Sequence, residues 1–108
     1  ETSLDFFAGC QLTQVCVGEY EIILHFDKPV TLFLACEFSL DRGQRLNAAP
    51  ETAATLFALL GKKVKGARQI GPGDIAIDFE SGHTLVIFDS ERFFESYHIT
   101  LPDVVIVV

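Results

Sequence analysis

EIILHFDKPVTL (residues 21–32) and DIAIDFESGHTL (residues 74–85) are two versions of one pattern. Ile22, Phe26, Thr31 and Leu32 recur as Ile75, Phe79, Thr84 and Leu85, and an acidic residue opens each copy. Both alternate apolar and polar residues, the period of a half-buried β-strand, and both are broken by a polar turn. Each is a hairpin. The likeness extends outward: Gly9-x-x-Leu12-x-x-Val15 matches Gly61-x-x-Val64-x-x-Ala67, and Val17-Gly18 matches Ile70-Gly71. Gly9 to Gly61 is 52 residues and Ile22 to Ile75 is 53, so one residue is inserted between the matches. A β-bulge in the first strand accounts for it, and lets Leu12 and Val15, three apart, share a face.

Each copy reads as a three-strand antiparallel meander, with strands near 11–17, 20–26 and 30–38, and again near 63–70, 74–80 and 83–88. Alternation sets Tyr20, Ile22, Leu24 and Phe26 on one face, with Val30, Leu32, Leu34, Cys36 and Phe38 across from them. Ile75, Ile77, Phe79, Leu85 and Ile87 form the matching face. Gly82 in ESGH suits a hairpin turn with positive φ. DKPV has no such glycine, so its turn differs, and Pro29 fixes φ and removes a donor.

Between the copies, residues 41–47 read as a polar loop and residues 50–60 as a helix. Pro50 suits its first turn, Gly61 its C-terminal cap, and Ala53, Leu56, Phe57 and Leu60 its apolar stripe. A second apolar set, Ile23, Phe33 and Ala35 with Ala76, Val86 and Phe88, points away from the first. A helix about 16 Å long cannot cover both faces. A three-strand unit alone is marginal in water, whereas two related units can bury each other's apolar faces. The expected fold is therefore α+β, mainly β. Two pseudo-repeated three-strand meanders (about 9–38 and 61–88) pack as a sandwich or partly open barrel within one domain, 1–108. The helix closes one end, and the tail adds one or two strands, SYHIT and VVIVV, turning at Pro102-Asp103.

Composition narrows the function classes. Of 108 residues, 49% are apolar and ten are phenylalanine, which implies a packed core. No apolar run approaches the roughly 18 residues that span a bilayer, so no membrane partner is expected. The opening ETSLDFFAGC has neither the basic nor the apolar region of a secretory signal. A net charge of −7 argues against nucleic acid. The local exception is GKKVKGAR, where Lys62, Lys63, Lys65 and Arg68 cluster. Such a cluster would steer an acidic partner, or simply be a solvated strand. Cys10, Cys16 and Cys36 form no C-x-x-C pair, which suggests neither a disulfide framework nor zinc. They suit a reducing, cytoplasmic location.

Candidate chemistry is sparse. His25 and Asp78 occupy matching positions, and twofold packing of the copies would allow a His–Asp pair that tunes an imidazole. In FFESYHI, alternation places Glu95 beside Phe93, Tyr97 and Ile99. That makes either a small polar pocket of Glu95, Tyr97 and His98, or a corner where Glu95 caps turn amides and the Tyr97 hydroxyl ties down a loop. His25, Asp78, Glu95, Tyr97 and His98 are the binding candidates. No catalytic residue, metal or cofactor is assigned. Ser96 lacks a G-x-S-x-G context, GPGD lacks the lysine and helix of a phosphate loop, and the histidines lack ligand spacing. His83, beside Gly82, reads as a solvated turn residue.

Gly9-x-x-Leu12-x-x-Val15, Leu59-Leu60-Gly61 and Glu95-Ser96-Tyr97 together resemble a family of small bacterial domains of unknown function. The resemblance implies a bacterial cytosolic protein without an established activity. Some small acidic domains of this general kind are immunity-like proteins that block a toxin by binding it. The first expectation is a non-enzymatic protein-interaction domain that self-associates. The second is an immunity-like or regulatory binder of a basic partner protein. The third is a small-molecule binder or enzyme using the His/Asp/Glu/Tyr set.

Overall fold

The computed structural model describes residues 4–90, 96–102 and 105–108. Among the described residues nine strands form two antiparallel sheets: β1 (Leu12–Val17), β2 (Ile22–Phe26), β3 (Thr31–Leu34), β4 (Phe38–Leu40), β5 (Val64–Gln69), β6 (Ile75–Phe79), β7 (Thr84–Ile87), β8 (Tyr97–Thr100) and β9 (Val105–Val107). One sheet has the order β1-β2-β3-β8-β9 and the other β4-β7-β6-β5. The two layers share one core. Ile22, Leu24 and Phe26 from the first pack in the same cluster as Ile75, Ile77 and Phe79 from the second. The expected sandwich is present, and among the described residues neither sheet closes into a barrel.

The two meanders match in their hydrogen bonds. Gly9 N–H donates to Val64 O at 2.8 Å and Gly61 N–H to Leu12 O at 2.8 Å; Val64 N–H donates to Cys10 O and Leu12 N–H to Lys62 O. These four bonds are related by a pseudo-twofold at the Gln11–Lys63 bridge, which ties the sheets together at one corner. A bulge interrupts β1 between Leu12 and Gln14 and β5 between Val64 and Gly66. Because both copies carry it, the bulge is not where the extra residue lies. Val17 pairs with Ile22 across residues 18–21, whereas Gln69 pairs with Ile75 across residues 70–74, so the insertion sits in the turn.

Strand 30–38 is the main departure from expectation. It is broken at residues 35–37, and its end, β4, leaves the first sheet to pair with β7 of the second. In return β8, from the second half of the chain, pairs with β3 of the first. The exchange repeats at the level of single bonds: Ala35 N–H donates to Ser96 O and Phe88 N–H to Glu37 O. A strand that switches sheets at a bend is a common way to make a sandwich corner. Leu34, Cys36 and Phe38 stay buried through it, so the alternation survives although the sheet changes.

The segment 50–60 also differs. Only Pro50–Ala53 is α-helical, and Ala54–Leu59 continues as a 3-10 helix. Three residues per turn put Ala53, Leu56 and Leu59 on one line, and these are the buried ones. Phe57 and Leu60, assigned to the stripe from an α-helical period, are 49% and 42% exposed. Tyr20, assigned to the core face, lies in the β1–β2 turn and is 74% exposed. The hairpin turns behave as expected: Gly82 has φ +96°, while in DKPV it is Lys28 that takes positive φ, at +54°.

Candidate functional site

The pseudo-twofold puts the same positions of each copy on the outer face of each sheet. On the five-stranded sheet, one row runs Cys16–Ile23–Phe33–His98–Val107 and the next Gln14–His25–Thr31–Thr100–Val105. On the four-stranded sheet the corresponding rows are Arg68–Ala76–Val86–Ser39 and Gly66–Asp78–Thr84. His25 and Asp78 are thus structural equivalents, but each points out of its own layer, away from the shared core. The structure does not bring them together. His25 Nδ1 lies 3.4 Å from Thr31 Oγ1. Asp78 accepts from Arg68 Nε at 3.1 Å, from Arg68 Nη2 at 3.4 Å and from Thr84 Oγ1 at 2.9 Å.

The two faces have diverged in charge. None of the ten residues in the first two rows is Asp, Glu, Lys or Arg, in a chain of which 21% is charged. The opposite face carries the Arg68–Asp78 pair over a groove of about 460 Å³ that also reaches Lys65 and His83. His83 Nδ1 and Asp41 Oδ2 are 2.6 Å apart, and Asp41 Oδ1 accepts the Thr84 N–H at 2.9 Å. Asp41 and Arg42 both hold positive φ, +54° and +61°, a conformation that costs non-glycine residues energy. The carboxylate bonds of Asp41 pin this strained corner to β7. Alternation alone could not find this dyad, because Asp41 and His83 belong to loops far apart in sequence. A β-branched Thr84 following a turn was the only local hint.

The remaining candidates fall into the other sheet. Tyr97 is buried, and its hydroxyl donates to Gly73 O at 2.8 Å, so it fastens the β5–β6 turn. Burial pushes its pKa up to about 12, with Asp89 next in effect. Ser96 Oγ donates to Asp89 Oδ1 at 2.5 Å, and Asp89 N–H donates to Asp74 Oδ1 at 2.7 Å. His98 sits on the uncharged face with its ring centroid 5.1 Å from that of Phe33. Tyr97 and His98 therefore point to opposite sides of β8 and share no pocket. Glu95 lies outside the described residues.

The hydrogen bond to His83, then the Thr84 amide, holds the Asp41 carboxyl below the ordinary 3.8. Asp78 is held below it by Arg68 foremost, against some burial. Depressed carboxylate values make the unfolded chain the better proton binder in acid. The stabilisation they supply is complete above the ordinary value and is lost as pH falls through the folded values. Melting followed by circular dichroism should show a plateau down to about pH 4–5 and a decline below it. Asp78→Asn should flatten part of that decline; an unchanged slope would mean that the pair is not formed in solution.

Among the described residues, no cluster of His, Cys, Asp and Glu is arranged to hold a metal ion, and no helix is long and apolar enough to cross a membrane. The Thr84 hydroxyl in the groove is committed to Asp78, so the Asp41–His83 dyad is not coupled to it as a base to a nucleophile.

Fold and faces together define a two-layer β-sandwich of two matching meanders with exchanged strands, uncharged on one outer side and ion-paired on the other. The chain belongs to a family of unknown function, DUF6188, whose profile matches residues 4–108. No curated protein and no solved structure matches it.

Proposed function

We propose that this is a non-enzymatic protein-interaction domain that pairs with a second copy of itself through the five-stranded sheet. The observation that carries the reading is the uncharged outer face ending at β9, where Val105 and Val107 are 56% and 49% exposed. Among the described residues no strand pairs with the far side of β9. Val108 N–H donates to Tyr97 O and Tyr97 N–H to Val108 O, so that pair is hydrogen-bonded. Antiparallel pairs alternate, so Val105 and Val107 turn their N–H and C=O groups toward the open edge. An edge of this kind is a template for another strand.

The edge is self-complementary. A twofold through Ile106 sets Val105 opposite Val107 of the second copy and makes one ten-stranded sheet. The uncharged rows then continue across the junction, and two chains of −7 meet along Val105–Val107, a strand with no charged side chain. A protein of this kind acts by assembling, and the absence of a disulfide among Cys10, Cys16 and Cys36 suits a reducing cytoplasm. Sedimentation velocity should give the mass of a dimer for the native chain and of a monomer for Val105→Lys/Val107→Lys, because facing like charges on an edge repel. A native chain that stays monomeric at high concentration would overturn the reading.

A further inference from the structure

We propose that the groove on the outer face of the four-stranded sheet binds an extended acidic peptide segment of a partner protein. The first sign is Gly66. Its φ is not positive and an added Cβ would meet nothing within 4 Å, so neither backbone nor packing calls for glycine. The bulge does not call for it either, since the equivalent bulge in β1 carries Gln14 at this place. Glycine inside a strand weakens it, and otherwise marks a place where another backbone comes close. Here it leaves bare main chain between Lys65 and Arg68, on a strand whose outer edge, beyond Val64, pairs with no described strand.

The second sign is the charge. Lys62, Lys63, Lys65 and Arg68 are four of the eight Lys and Arg residues of an acidic chain, all on β5 or just before it. Asp78, the carboxylate that lines the groove, and Asp41 beside it are already engaged by protein donors. Asp78 braces the Arg68 fork and accepts from Thr84, while Asp41 holds His83 and the Thr84 amide. Arg68 is thus steered from behind while still 58% exposed, and His83 meets Asp41 through Nδ1, which puts its Nε2 edge on the other side of the ring. Pre-oriented guanidinium groups are suited to pairing with carboxylates.

Size selects the occupant. At about 3.3 Å per residue, Lys63 and Arg68 are spread over roughly 17 Å of strand. A single small anion reaches one or two of them, whereas an extended acidic peptide lying along β5 reaches all. Such a peptide would lie over β5 along the groove, its backbone against Gly66, while its carboxylates meet Lys65 and Arg68.

The test is titration of the full chain with hexaglutamate, followed by amide chemical shifts, with hexalysine and inorganic phosphate as comparison probes. Hexaglutamate should shift residues 63–69 and 82–84, and its binding should weaken at least tenfold between about 25 mM and about 250 mM salt. Arg68→Glu should abolish it. Gly66→Gln, which copies the residue tolerated at the equivalent bulge, should leave the fold intact and weaken binding by about tenfold or more. No shifts at low salt, native binding by both variants, or phosphate binding as tightly as the peptide would overturn the proposal. None of these outcomes depends on whether the chain dimerises through β9.

Discussion

Phe38→Ala should lower the melting temperature by about 15–30 °C. Phe38 is fully buried and sits on β4, the strand that crosses from one half of the chain to the other half's sheet. Its N–H donates to Leu46 O at 2.9 Å, its carbonyl accepts from Leu46 N–H at 2.8 Å, and it pairs with Ile87 on β7. Removing a buried phenyl group costs ~3–5 kcal/mol through lost transfer energy and the cavity left behind. For a domain near this size each kcal/mol moves the midpoint by about 4–8 °C. Since domains of this kind have only about 5–15 kcal/mol to lose, the variant is also expected to unfold at a markedly lower urea concentration. A midpoint within about 5 °C of the native chain would show that β4 is not seated in the second sheet, since that loss corresponds to only ~1 kcal/mol.

Gly73→Ala should cost more than Gly61→Ala, although both glycines have nearly the same backbone, φ +83° and +79°. Left-handed backbone costs a residue with a Cβ ~1–2 kcal/mol, and Gly61, with nothing within 4 Å, should show that cost alone. At Gly73 the new Cβ would come within 2.7 Å of Asp89 Cβ and closer still to its carboxylate. Asp89 cannot move away freely. Its amide is bonded to Asp74 and its carboxylate to Ser96, while the Tyr97 hydroxyl holds the Gly73 carbonyl itself. Overpacking of this kind adds ~1–3 kcal/mol to the backbone strain. Paired denaturant titrations read the difference directly. Equal losses for the two variants would mean that the Asp74–Asp89–Ser96 chain of bonds is not a fixed structure.

The repeat, the hairpins and the core faces were legible because each depends on a local period. Ile22, Leu24 and Phe26 recur at every second residue, as do Ile75, Ile77 and Phe79, and a strand keeps that period whatever it pairs with. The helical segment was legible only in outline. Ala53, Leu56 and Leu59 fit three residues per turn, while Phe57 and Leu60 fit an α-helix, and the core chose between them.

The sites were less legible, for a related reason. His25 and Asp78 were recognised as equivalents, yet equivalence under a twofold says nothing about which side of a sandwich each will face. Arg68 finds Asp78 across a bulged strand pair, and Asp41 finds His83 only because β4 lies beside β7. Neither relation has a signature in spacing.

By itself, the sequence determined that two meanders of matching pattern press their alternating apolar faces into a single core, since side-chain alternation is a property of each strand alone. Which strands become neighbours was decided by the tertiary structure. The exchange of β4 and β8, the 3-10 winding of the connecting helix and the Asp41–His83 contact all minimise exposed backbone and apolar surface of the whole. That is a global sum, and no short stretch of sequence contains it.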